Sequence, residues 1–122
     1  MSEPIVTLGA LLRERRIALL EEDPEYSLRK VAARTGIDPA NLSRAERDEG
    51  RTPLSEAALT RLAQDLGLSV DRVLALAGHV PADVREAIQS RPEVLGELIR
   101  SASRLPDEAL RRLTTDVREG TW

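Results

Sequence analysis

The sequence predicts an all-α protein, on three observations. Leu, Ala, Arg and Glu dominate its 122 residues, and all four are good helix formers. β-branched residues are sparse, and no stretch alternates polar and apolar residues over the length of a strand. Apolar residues instead recur at helical spacing between Ser, Thr or Asp caps and Gly or Pro stops. Hydrophobic residues make up 41% of the chain, but there is no Phe and only one each of Met, Tyr and Trp. A core must therefore be built from Leu, Ala, Val and Ile.

Met1 to Val6 reads as a loose end. Thr7 caps a first helix with apolar positions Leu8, Leu11, Leu12 and Leu19, extended by Ala18 and Leu20. Pro24 forbids its continuation, so it ends near Glu21 and leaves an acidic linker from Glu21 to Tyr26. Ser27 caps helix 2, whose Leu28, Val31, Ala32 and Thr35 share a face, and Gly36 ends it in a left-handed turn. Asp38-Pro39, a cap followed by a first-turn proline, starts helix 3. The interval between helices 2 and 3 is so short that they must meet at a sharp angle. A loop over residues 48–53 precedes Ser55, which caps helix 4 (Ala58, Leu59, Leu62, Ala63, Leu66 inward) up to Gly67. Ser69 caps helix 5 (Val70, Val73, Leu74, Ala77 inward) up to Gly78. Then Pro81, Pro92 and Pro106 each open an amphipathic segment. The organisation expected is one domain over residues 7–78 and a helical tail over 79–122, a segment small for independent stability.

Composition excludes several functions. Without cysteine there are no disulfides and no thiolate metal sites. His79 stands alone, so no metal site and no cofactor are expected. No 18-residue apolar run and no secretory leader are seen, so neither a membrane span nor export is expected, and the cytoplasm is the expected location. No phosphate-cradling glycine loop or nucleophile–base arrangement appears, so the chain is not read as an enzyme. The net charge is −3, yet residues 27–51 hold six bases against four acids. The basic excess thus falls on helices 2 and 3.

On a helical wheel Leu42, Ala45, Glu46 and Asp38 fall on the core side of helix 3. Ala40, Ser43, Arg44 and Arg47 fall on the other, flanked by Asn41 and Asp48. That outward face combines a small residue that permits close approach, a hydroxyl and two guanidiniums. Arg bonds guanine or phosphate bidentately, and Ser or Asn bonds base edges or phosphate. The positive N-terminus of helix 2 at Ser27, Leu28 and Arg29 suits a phosphate. Arg29, Lys30 and Arg51 are candidates for backbone contacts that position the protein without reading sequence. Pro39 belongs to the same segment.

Residues 7 to 77 resemble the lambda-repressor/Cro, or Xre-type, helix-turn-helix family. The residues that carry the resemblance are Leu8-Gly9…Leu12…Arg16, Ser27-Leu-Arg-Lys-Val-Ala, Thr35-Gly-Ile-Asp-Pro, Asn41-Leu-Ser-Arg-Ala-Glu-Arg, the Pro53 loop, and Leu62-Ala…Leu66-Gly-Leu-Ser-Val-Asp-Arg-Val-Leu. The resemblance implies a five-helix DNA-binding bundle with recognition helix 38–47, acting as a transcriptional regulator, usually a repressor that binds a palindromic operator on double-stranded DNA as a homodimer. It also implies a structural salt bridge between Arg16 and Glu46, in keeping with the core-side position of Glu46 on the wheel. The chain departs from the family in its longer acidic linker, in Leu28 where many members carry a base-contacting Gln, and in Ala40 where a polar reader is common. The burden of reading then shifts to Asn41, Ser43, Arg44 and Arg47, and to DNA shape.

Such a protein needs something to hold its dimer. Leu95, Leu98, Ile99, Ala102 and Leu105 make an apolar stripe in the tail that suits self-association or a protein partner. Two alternatives keep the same bundle: an antitoxin or mobile-element repressor whose tail receives a toxin or a regulatory protease, and an adaptor whose helix 3 does not bind DNA. Trp122 is either frayed or tucked into a partner.

Overall fold

The structure is a computed structural model that describes residues 6–122; of the loose end expected over 1–6, residues 1–5 lie outside the described residues. Among the described residues there are eight α-helices and no strand. The chain divides into two compact units, one running to Pro81 and the other spanning Ala82–Trp122.

The first unit holds α1 (Leu8–Leu20), α2 (Leu28–Thr35), α3 (Pro39–Glu46), α4 (Glu56–Leu66) and α5 (Val70–Leu76). Each begins at a polar cap. Thr7, Ser27, Asp38, Ser55 and Ser69 accept hydrogen bonds from the backbone N–H groups of Ala10, Lys30, Ala40, Ala58 and Arg72, satisfying donors that the helix itself leaves unpaired. Helices α2 and α4 end on Gly36 and Gly67, both at φ 68°. At these ends the N–H groups of Ile37 and Leu68 reach back to the carbonyls of Ala32 and Ala63, which closes a six-residue turn and folds the next residue onto the core.

The core is the expected aliphatic one. Leu12, Leu42, Leu59, Leu62, Leu66, Val31 and Val73 are its largest fully buried side chains. Ile37 and Leu54, which lie between helices, join it. Ala18 does not, being exposed, while Leu19 and Leu20 are half-buried. Asp38 also corrects the wheel. It is exposed, because as N-cap it precedes the helix and turns its carboxylate onto the Ala40 N–H. The acidic linker is not all coil: Pro24–Tyr26 form a 3-10 turn capped by Asp23.

The second unit holds α6 (Ala82–Ser90), α7 (Pro92–Ala102) and α8 (Asp107–Glu119). No residue of it is buried.

Candidate nucleic-acid interface

Three residues, Gly36, Ile37 and Asp38, separate α2 from α3. The left-handed Gly36 reverses the chain and buried Ile37 pins the turn. Leu42, Ala45 and Glu46 form the buried face of α3. Pro39, Ala40, Arg44 and Arg47 are exposed, with Asn41 and Ser43 half-buried. Helix α3 itself stops at Glu46, with Arg47 as its C-cap, one residue inside each end of the expected 38–47.

Two fastenings hold this helix to α1. The first is the ion pair of Arg16 with Glu46: Nε and Nη2 donate to the two carboxylate oxygens at 2.6 and 2.8 Å. A third guanidinium nitrogen donates to the Tyr26 carbonyl at 3.3 Å. Both side chains are buried. The hydrogen bond to Glu46 holds the Arg16 pKa above its ordinary value, against the opposing effect of burial. The second fastening has no counterpart among the sequence expectations. Asp48, just past α3, sits at φ 53° in the left-handed region, where Gly is the usual occupant. Its carboxylate accepts from the Gly9 N–H at 2.8 Å and from the Thr7 hydroxyl at 2.6 Å, at the start of α1. A Cβ on Gly9 would lie 2.6 Å from the Ala45 carbonyl oxygen.

Most cations of the first unit fall into two sets. Arg15 donates to the Leu66 carbonyl and Arg61 to the Thr35 carbonyl, each at 2.8 Å, capping the ends of α4 and α2. Arg34 bonds Asp65 bidentately at 2.9 and 3.0 Å and lies 5.0 Å over the Tyr26 ring. The Asp65 hydrogen bond raises the Arg34 pKa above its ordinary value. These three, with Arg16, belong to the fold. Arg13, Arg29, Arg44 and Arg51 are exposed and make no ion pair among the described residues. Lys30 and Arg47 stand between the two sets. Lys30 pairs with Glu25 at 3.1 Å, and Arg47 pairs with Glu49 at 3.3 Å.

The outward face of α3 borders two depressions. Ser43 and Arg47 line one with Arg13, Arg16, Leu28 and Glu46. Arg44 lines the other with Arg51 and residues at the start of α1 and the end of α5. Arg13 is invisible to a sequence reading because it stands on α1, where residue order gives no sign of proximity to Ser43. Ser27, Arg29 and Lys30 lie at the start of α2, with the Ser27 hydroxyl taken up by the Lys30 N–H. Among the described residues no three His, Asp or Glu side chains gather as metal ligands, and no helix is long and apolar enough to cross a membrane.

In the tail, Leu98, Ile99 and Leu105 are exposed, while Leu95 and Ala102 are half-buried. Trp122 donates its indole N–H to the Val117 carbonyl at 2.9 Å.

A short turn between two capped helices, with the second offering a polar and basic face, defines a helix-turn-helix protein. The helix-turn-helix domain model matches residues 7–76, more than half of the chain, and the protein belongs to that family. No curated protein and no solved structure matches the chain significantly.

Proposed function

We propose that the protein is a sequence-specific regulator of transcription of the lambda-repressor/Cro, Xre-like type, acting as a repressor with α3 in the DNA major groove. The observation that carries this reading is the division of α3. Its buried face is fastened to α1, while Ala40, Arg44 and Arg47 face solvent beside half-buried Asn41 and Ser43. A lone helix-turn-helix reads only a few base pairs, so a dimer on a palindromic operator follows, with half-sites about 34 Å apart. The tail supplies the dimer contact. Leu98 is 56% and Ile99 49% exposed on a unit with no buried residue, and a second copy of the same stripe would cover them. The protein then works in the cytoplasm, on the nucleoid when bound to DNA. It catalyses nothing in this role.

Selection of bound duplexes from a random pool tests the reading. A palindromic consensus with half-sites one turn apart is expected. Arg44→Ala and Arg47→Ala should each weaken binding, and a guanidinium that bonds one phosphate should, on removal, lower the salt slope by about 1. A pool that yields no enriched sequence, with both variants behaving as the parent, would instead favour the adaptor.

A further inference from the structure

The groove between α1 and α3 has an unusual composition for a surface that meets a polyanion. Arg13 and Arg47 stand on its walls, Ser43 lines it, and Arg16 and Glu46, which also border it, are engaged with each other. Leu28, the first residue of α2, completes the lining. Leu28 is half-buried: part of it packs on the core and part faces the groove. It can neither donate nor accept a hydrogen bond. In the major groove the base edges present hydrogen-bond donors or acceptors, and one apolar group stands among them, the C5-methyl of thymine. A guanidinium on either wall suits the flanking phosphates.

We propose that Leu28 determines part of the specificity by packing against one thymine methyl group in each half-site, with Arg13 holding an adjacent phosphate. This rests on the reading of α3 as a major-groove helix, and it adds a base preference to it. Leu28 is the reader here, and Arg13 the positioning residue.

The probe is the best duplex from the random-pool selection, bound by the full chain, with each thymine in turn replaced by deoxyuridine. That exchange removes one methyl and leaves every hydrogen-bonding group in place. At one thymine per half-site the affinity should fall about fourfold per methyl, the worth of burying one such group. With Leu28→Ala the same exchange should have no effect. Leu28→Asn, which keeps the shape of the side chain but carries no methyl groups, should behave like Leu28→Ala and guards against a folding defect. Arg13→Ala should lower affinity equally for the thymine and deoxyuridine duplexes. If no thymine is sensitive, or if sensitivity survives in both Leu28 variants, the proposal falls while DNA binding stands. If the pool yields no sequence at all, the DNA reading falls first and carries this one with it.

Discussion

A guanidinium removed from water needs oxygen at several of its N–H groups, and Arg16 finds three oxygens, two on Glu46 and one on the Tyr26 backbone. Glu46→Ala leaves this cation buried without its counter-charge and should cost about 3–5 kcal/mol. Thermal unfolding would register that as a large drop in Tm. Replacing the pair together, as Arg16→Met with Glu46→Leu, should cost much less, because no orphaned charge remains; equal losses would show that packing, not charge, dominates there. Gly9 is a second test at this scale. Gly9→Ala drives a methyl against the Ala45 carbonyl and the Asp48 carboxylate, and overpacking of this kind costs about 1–3 kcal/mol in denaturant unfolding. The Arg16–Glu46 pair was legible through the family resemblance, and helical periodicity agreed by putting Glu46 on the core side with Leu42 and Ala45. The Asp48–Gly9 contact was not. An aspartate beyond a helix end reads as loop, and nothing in residue order says which distant N–H groups it will meet.

At the level of elements, local chemistry carried most of the information. Five caps and two glycine stops were readable because each acts within a few residues. Ser27→Ala should cost about 1 kcal/mol through loss of the α2 cap. Gly36→Ala should cost about 1–2 kcal/mol, because it forces a Cβ into the left-handed region. Circular dichroism melts of the two variants check both figures. The 3-10 turn at Pro24–Tyr26 was read only as linker, although its local signal is present. Asp23-Pro24 repeats the Asp38-Pro39 signature, and in both the aspartate accepts from the N–H two residues on. Ile37 and Leu54 were missed for a different reason. Periodicity finds core positions within helices, and these two are buried from the connections. Ala18 was the opposite error, an apolar residue on the helix pattern that stays exposed because methyl groups cost little in water.

On the scale of the molecule the two units contrast. The first buries a continuous aliphatic cluster. The second, 82–122, buries nothing, and Val94, Leu98, Ile99, Leu105, Leu113 and Val117 are all exposed. Self-association through the tail predicts that Leu98→Glu with Ile99→Glu converts a sedimenting dimer to a monomer and leaves the helix-turn-helix unit folded. A variant that still dimerises would place the dimer contact elsewhere.

The contacts that hold α3 and the side chains it displays are different residues. Leu42, Ala45, Glu46 and Asp48 fix where the helix lies, and Ala40, Asn41, Ser43 and Arg44 take no part in the Glu46 and Asp48 fastenings. The exposed members of the displayed set, Ala40 and Arg44, are therefore exchangeable. In the proposed DNA-binding role, rewriting those two positions should leave unfolding temperature nearly unchanged while altering which duplex is preferred, so that the scaffold behaves as a fixed handle carrying a replaceable key.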